Sequence, residues 1–471
     1  MKYTTVIGLE IHAELTTNTK VFCGCANSFA EERNSCCCPA CTALPGALPV
    51  LNKSAVEMII KAGLALGCDI AEVAKWDRKN YFYPDSPKAY QISQLYAPVC
   101  IGGGLQVGDK FLRLHHIHLE EDAGKLLHLD SESIVDYNRT SVPLIEIVTE
   151  PDMRSAEEAI EFVEKIRRTL VYAGVCDGKM EQGSLRVDAN ISIMPEGSDV
   201  FGTRAEVKNI NSFKFLKAAI EYEVKRQKKV LESGGEVVQE TRRFDAGKNQ
   251  TFSMRSKENA HDYRYFPDPD IPAVFIPRDE VERLRAGLGE TPEVRFTRYT
   301  EEFGLSDKDA NVILDVKPLS DFFGEVVAAG AEPKAAANSV KGELLRLYNA
   351  GEELMEIPLD AAEFARGVTI AADGKISQNG LKTAITRMFE EGVDLDTVIR
   401  EEKLIIEEDL GFLEEVVDKV LADNATAVEQ FHSGKTNVLG FLVGQCMKGA
   451  GGKGHPKTVS DMLSKKLGVS D

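Results

Sequence analysis

No apolar run in this sequence approaches the roughly 18–20 residues needed to cross a bilayer. The opening stretch MKYTTVIGLEIHAEL alternates polar and apolar residues, so it lacks the continuous apolar core of a secretion signal. The chain is read as cytoplasmic, with no membrane partner. Excess positive charge is also missing: 56 Lys and Arg stand against 75 Asp and Glu, a net charge of −19. That argues against general coating of nucleic acid and against DNA as a partner, because a basic surface is what lowers the cost of approaching phosphates. Local basic patches remain open to RNA. Two exist, KFLKAAIEYEVKRQKK at 214–229 and the lysine-rich end KGAGGKGHPKTVSDMLSKKLG. Charge alone favours the wet face of a helix for either. An ordinary phosphate loop is absent as well. Gly434-Lys435-Thr436 resembles its end, but Glu429 occupies the position where its first glycine belongs. IGGGL at 101–105 reads as a hairpin turn. There is no internal repeat and no long low-complexity segment.

Cysteine, by contrast, is plentiful and unevenly placed. The chain has ten, and without an export signal they are not expected to form disulfides. Six fall within residues 23–41, in CGCANSFAEERNSCCCPAC. Cys23-x-Cys25 and Cys38-Pro-Ala-Cys41 form two short chelating arms on a long loop, which fits a structural tetrahedral Zn²⁺ better than free buried thiols. Cys36 and Cys37 leave the choice of ligands open. A closed four-thiolate site has no open position for chemistry.

Length points to about three domains. Up to about residue 290, strands and helices mix. NKSAVEMIIKAGLALGC reads as a helix with Val56, Ile59, Ile60, Gly63 and Leu64 on one face and Gly67 as its stop. SAEEAIEFVEKIRRTLVYAG opens with a capping box, Ser155 with Glu158, and ends at Gly174. The prolines of YRYFPDPDIPAVFIP exclude helix and suit a boundary. Beyond about residue 292 helical periodicity dominates, with a split near 405 and a flexible joint at GAGGKG, 449–454.

The strands carry the chemistry. Alternate side chains of a strand face opposite sides of its sheet. In VIGLEIHAEL, Ile7, Leu9, Ile11, Ala13 and Leu15 share one side, while Glu10, His12 and Glu14 share the other. LRVDANISI sets Arg186, Asp188, Asn190 and Ser192 against an apolar row, TRAEVKNI places Arg204, Glu206 and Lys208 together, and PLIEIV carries Glu146. Any one strand reads equally as half of a washed antiparallel sheet. Several strands bearing carboxylates, an imidazole, arginine and lysine instead suggest one concave site that all of them line. Such a set suits Mg²⁺ completed by substrate phosphates, with the cationic side chains on phosphoryl oxygens. In LHHIHLEEDAGK at 114–125 the strand ends at a turn through Asp122-Ala123-Gly124, so Glu120 and Glu121 are expected at the sheet's rim. His115 and His116 read as hairpin side chains. WDRKNYFYPDSPKAYQISQ at 76–94 interleaves Arg78, Lys79 and Lys88 with Tyr81, Phe82, Tyr83 and Tyr90. It reads either as a base- and phosphate-binding surface or as a strand pair around a Pro-Asp turn.

IGLEIHAEL, DRKNYFYPDSPKAYQISQ, HLEEDAGK, NRTSVPLIEIVTEPD, GSLRVDANIS, VKNINSF, ETRRFD and DYRYFPDPDIP, taken in order, resemble the B subunit of the tRNA-dependent amidotransferases, as does the C-terminal GKTNVLGFLVGQCMKGAGGKGHPKTVSDMLSKKLG. The resemblance spans nearly the whole chain. It implies an α+β protein: a mixed, largely antiparallel-sheet, kinase-like cradle over residues 1–291 that binds ATP, Mg²⁺ and the tRNA acceptor end and carries the zinc loop 23–41, a helical domain over 292–405 and a small α-helical tRNA-binding tail over 406–471. It implies ATP-dependent amidation of misacylated Glu-tRNA(Gln) or Asp-tRNA(Asn), with this chain making an acyl phosphate and a partner glutaminase supplying ammonia. Implied partners are the amidase subunit and the small subunit of the same heterotrimeric complex, together with tRNA(Gln) or tRNA(Asn). Implied cofactors are ATP, Mg²⁺ held by Glu10, His12, Glu121 and Glu146, and structural Zn²⁺ on Cys23, Cys25, Cys38 and Cys41. Asp188 joins the catalytic set; Lys79, Arg186, Glu206 and Lys208 join the nucleotide-binding one. Where the family usually shows Asn-Arg-x-Gly, this chain has Ser141, expected to stiffen the turn before Glu146. The rival reading from another class is a non-catalytic tRNA-binding scaffold. A ligase acting on a free small acid is the other, and the basic tail argues against it.

Overall fold

The computed structural model describes residues 2–28, 32–256, 263–351, 354–406, 410–433, 437–450 and 456–468. The Gly434–Thr436 step and most of the glycine-rich joint lie outside these. The chain divides into two compact units, Met1–Pro292 and Glu293–Asp471. Among the described residues no helix is long and apolar enough to cross a membrane.

The first unit is built on one large sheet. Its main strands are β1 (Tyr3–Glu14), β4 (Lys110–Glu121), β5 (Pro143–Thr149), β6 (Leu185–Pro195), β7 (Ala205–Ile210), β8 (Glu240–Asp245) and β9 (Gln250–Ser256). They lie in the order β9-β8-β7-β6-β1-β5-β4, and every neighbouring pair is antiparallel except β7 with β8. Two further strands, β2 (Asp77–Asn80) and β3 (Tyr90–Ser93), form an antiparallel pair of their own. The segment at 76–94 is thus the strand pair that its Pro-Asp turn suggests.

Period-two alternation decides which side of the sheet is covered. Ile7, Leu9, Ile11 and Ala13 of β1, Ile145 and Ile147 of β5, and Val187, Ala189 and Ile191 of β6 join one core with three helices, α1 (Lys53–Ala65), α2 (Ala156–Tyr172) and α3 (Phe213–Glu232). Each fully buried Leu or Ile stabilises the unit by about 1.5–3 kcal/mol. With helices on that side, the polar side of the same strands is left to form a groove.

Helix ends follow their chemistry. Asn52 caps α1 by accepting from the Ser54 N–H, and Gly67 leaves the helix with φ of 72°. Ser155 caps α2 by accepting from the Glu158 N–H at 3.1 Å. The reciprocal half of the expected box is shifted by one residue: the Glu158 carboxylate accepts from the Arg154 N–H at 2.8 Å. The glycines at 101–105 do not close a hairpin. Cys100–Ile101 and Gly104–Val107 each pair with β4 rather than with one another. Gly103, at φ of 88°, packs so closely on Leu66 that a Cβ would lie 2.6 Å from its carbonyl oxygen.

The second unit is helical among its described residues. Tyr299, Phe303 and Phe323 stack edge and face in one cluster, with the Tyr299 hydroxyl on Ser320. A separate apolar cluster joins Leu413 and Val417 to Leu442, Cys446, Val459 and Leu463.

Candidate functional site

Strand register writes the site. Opposite one another across adjacent strands stand His118 (β4), Glu146 (β5), His12 (β1) and Arg186 (β6), a single row over the groove. Glu10 faces Asp188 across β1 and β6, and Asn190 faces Glu206 across β6 and β7.

Two groups result. In the first, ligand atoms of His12, Glu120 and Glu146 lie within 4.8 Å of one another. His12 Nε2 is 3.4 Å from Glu146 Oε2, and His118 Nε2 is 3.5 Å from both Glu120 and Glu146. The Ser93 hydroxyl on β3 donates to Glu120 at 3.1 Å. Burial alone would pull His12 down, but the hydrogen bond and charge of Glu146 outweigh it and lift His12 to about 9. Burial likewise pushes Glu146 up, and His118 and His12 overcome this and hold it well below the usual carboxylate range. Lys79 is held high against its burial, chiefly by Glu120. One buried and one half-buried carboxylate beside imidazole nitrogen form a donor set that fits a hard divalent cation.

The second group is Glu10, Asp188 and Glu206. Here a cation is already built in: Lys208 Nζ lies 2.9 Å from Asp188 and 2.6 Å from Glu206. Asn190 donates to Glu10 at 2.9 Å, and burial followed by the charge of Glu146 pushes the Glu10 carboxyl up. An ion in this group has to compete with the Lys208 ammonium, so the first group is the better metal seat.

The expected single ligand set of Glu10, His12, Glu121 and Glu146 is therefore corrected at two positions. Glu10 belongs to the second group. Glu121 points to the other side of β4, where it meets Lys88 Nζ at 2.5 Å, the Ile92 N–H at 2.9 Å and the Ser141 hydroxyl at 2.6 Å. Neither Glu120 nor Glu121 stands at a rim, since each is only 3% exposed. The cause is a β-bulge: Leu114 pairs with Thr149 but His116 with Val148. Leu112 and Leu114 face the core before the bulge; Ile117 and Leu119 face it afterwards. A phase counted forward from Leu112 thus lands on the wrong glutamate. His115 and His116 are mid-strand residues beside that bulge, not hairpin side chains. His116 Nε2 contacts His118 Nδ1 at 3.0 Å. Sequence reasoning missed His118 and misplaced Glu120; counting back by twos from Glu120 would have found the histidine.

A hollow of about 210 Å³ adjoins Glu10 and is lined by Val6, Gly8, Pro151, Phe201 and Arg204. Arg186 donates to Asp122 at 2.6 Å, while its Nε has no hydrogen-bond partner.

The cysteine loop forms a second, separate centre. The sulfurs of Cys23, Cys25, Cys38 and Cys41 lie within 4.8 Å of one another. Cys36 and Cys37 turn away, donating to the carbonyls of Ala26 and Asn34 at 3.0 and 3.1 Å. The Cys23 thiol, with the Cys38 N–H and the Lys20 charge, holds Cys41 down at about 4 despite burial. Four converging sulfurs fit Zn²⁺.

Residues 5–282 match the family described as GatB/GatE catalytic domain, and residues 321–467 match the GatB domain. The chain is 50% identical to the B subunit of the aspartyl/glutamyl-tRNA(Asn/Gln) amidotransferase of Ruminiclostridium cellulolyticum, over 99% of this chain and 98% of that protein. It is 49% identical to the protein of the same name from Carboxydothermus hydrogenoformans, over 99% of each chain. Identity to its counterpart in Geobacter sulfurreducens is 48%, over 99% of this chain and all of that one. With matches running from the groove through the helical unit, the chain belongs to the family of amidotransferase B subunits.

Proposed function

We propose that this protein activates the side-chain carboxylate of misacylated Glu-tRNA(Gln) or Asp-tRNA(Asn) with ATP, so that ammonia from a partner glutaminase can displace phosphate and leave the amide. The supporting observation is the row His118–Glu146–His12–Arg186, which gathers acid, imidazole and guanidinium from four strands beside a hollow of nucleotide-base size.

A carboxylate resists attack by ammonia because its charge repels nucleophiles and oxide is a poor leaving group. In the first step a carboxylate oxygen bonds to the γ-phosphorus, the bond to the bridging oxygen breaks, and ADP leaves. In the second, ammonia bonds to the carbonyl carbon, the acyl C–O bond breaks, and inorganic phosphate departs carrying one of ammonia's protons. The first step needs positioning and charge neutralisation more than covalent help. His12, Glu120 and Glu146 would hold Mg²⁺, which supplies neutralisation of phosphoryl charge. Lys79 and Lys208, cationic and close to the two acidic groups, suit phosphoryl oxygens. Val6, Gly8 and Phe201 offer the base an apolar seat. The amidase subunit, the small subunit and the tRNA are the partners of this reading, with residues 406–471 on the tRNA. Zinc on the four cysteines is structural.

In the assembled complex, His12→Ala is expected to lower ATP-dependent amidation by about 10²–10³-fold, the usual scale for losing one electrostatic contact to a transition state. Unchanged amidation would remove His12 from the site. A chain that binds tRNA but shows no magnesium-dependent ATP binding would favour the scaffold reading instead.

A further inference from the structure

Beside the cysteine loop lies a charge that the groove does not use. Lys20 is 0% exposed. Lysine is almost never closed off from water unless something inside pairs with it. Both of its backbone groups are committed: the N–H donates to the Cys25 carbonyl at 2.9 Å, and the carbonyl accepts from the Asn52 side-chain amide at 3.3 Å. Thr19, the residue before it, bridges to Ala26. With the backbone so fixed, the side chain runs inward, toward the sulfurs. Its Nζ donates to the Cys36 carbonyl at 2.8 Å and to the Tyr137 carbonyl at 3.4 Å, and it lies 3.8 Å from Cys41 Sγ. No carboxylate is among these contacts. Carbonyl dipoles satisfy the N–H bonds but do not cancel the charge.

We infer that Lys20 is the charge partner of the four-cysteine centre: its ammonium offsets the excess negative charge that four thiolates leave around Zn²⁺, and it quiets Cys41 in particular. The inference rests on the zinc reading above.

Four thiolates carry more negative charge than one Zn²⁺ returns, so a closed site of this kind is anionic. Burying the excess is costly without a counter-charge. The ligands do not share that cost equally. Cys23, Cys25 and Cys38 are half-buried and keep some contact with water, while Cys41 is 1% exposed. Cys41 is also the sulfur that Lys20 reaches. The Cys38 N–H donates to the same sulfur at 3.1 Å. A backbone dipole and an ammonium thus converge on the ligand that water serves least. Groups that touch the ligands rather than the metal fix ligand orientation and tune the centre. The ammonium is itself held in place. The Cys36 N–H donates to Asn138 Oδ1 at 2.8 Å and the Tyr137 N–H to Asn34 Oδ1 at 2.7 Å, which pins the two residues whose carbonyls receive Nζ. The counter-charge therefore stands ready without rearrangement of the loop.

Lys20→Met and Lys20→Gln separate charge from the rest. Methionine keeps an unbranched side chain and removes both the charge and the donors. Glutamine removes the charge but keeps an N–H donor for the carbonyls. In the full chain, both are expected to weaken zinc binding about 10–100-fold in competition with a chromophoric chelator, the scale on which partners of metal ligands act. In the Co²⁺-loaded chain the sulfur-to-cobalt charge-transfer band should move to longer wavelength in both, because an ammonium lowers the energy of the sulfur lone pairs. With zinc bound, iodoacetamide should alkylate Cys41 roughly threefold faster or more in both, since thiolate nucleophilicity rises with basicity. Zinc affinity within about threefold of the parent in Lys20→Gln, with an unmoved cobalt band, would overturn the inference. So would zinc loss confined to Lys20→Met, since a neutral donor would then suffice. Lys20→Gln decides the matter if Lys20→Met does not fold. Failure of the underlying reading shows separately: a parent chain that takes up no zinc removes that reading, and the inference falls with it.

Discussion

The cysteine centre and the carboxylate groove are both collections of metal-binding side chains, yet they are assembled in opposite ways. Cys23, Cys25, Cys38 and Cys41 come from one loop, and their spacing alone brings four sulfurs together. His12, Glu120 and Glu146 come from three strands far apart in the chain, and only strand register joins them. A local centre depends on its own loop. A distributed centre depends on the whole sheet, and a single bulge exchanges one ligand for its neighbour.

The largest expected effect breaks the comparison from the local side. Structural zinc is worth about 10–16 kcal/mol in small folded modules. Stripping zinc with a chelator, or Cys23→Ser, should therefore release residues 23–41, read as rapid hydrogen exchange there. The groove's ligands stand on strands outside this loop, so magnesium-ATP affinity should change less than threefold. Matching losses in both readouts would show that the two centres are not independent.

Next comes the glutamate pair at the end of β4. Glu120→Gln should weaken magnesium-dependent ATP binding by about 10–100-fold, the scale on which metal-site partners act, with little change in Tm. Glu121→Gln should do the reverse. It leaves the half-buried Lys88 without its carboxylate, and breaking a buried ion pair costs about 3–5 kcal/mol. Titration calorimetry and thermal unfolding on both variants decide the assignment. Equal loss of ATP affinity from both would restore Glu121 to the site.

A third test concerns acid. The fully buried Glu223 carboxylate accepts from Arg226, Gln227 and Thr251. Burial pushes its pKa up, but these partners and Arg242 outweigh burial and hold it below the ordinary 4.5. A depressed carboxyl pKa gives stability that is complete above the unfolded value and is lost as pH falls through the folded one. The Tm gap between the parent and Glu223→Gln should thus be widest near neutrality and shrink below about pH 4.5. A constant gap would contradict the linkage.

The smallest effect is expected at Ser141, which sits at φ of 64° and bonds Glu121. Left-handed backbone explains why glycine is usual there: any Cβ is strained. Ser141→Gly relieves that strain and removes the hydrogen bond, so the two changes should nearly cancel, within about 1 kcal/mol. In a Glu121→Ala background the hydroxyl has no side-chain acceptor there, only the relief remains, and the same change should stabilise.

These contrasts also explain what the sequence could reveal. Clean alternation in β1 and β6 gives their faces correctly, because the register shift opposite Asp188 places its extra residue on β7 and leaves the phase of β6 intact. The cysteine ligands are legible because the chelate geometry is local. Glu120 and His118 were hidden because phase along β4 depends on where His115 bulges, a choice made by packing against β5. Of the second group only Glu10 reads as a metal ligand in sequence; the contacts of Lys208 with both Asp188 and Glu206 become visible only once β7 lies beside β6.

The most direct test of the groove is the anomalous signal of Mn²⁺ in crystals of the assembled complex soaked with a non-hydrolysable ATP analogue. The account predicts a peak in bonding contact with Glu120 and Glu146 and adjacent to His12, with Glu121 still on Lys88. A peak held by Glu121, or none on this side of the sheet, would contradict it.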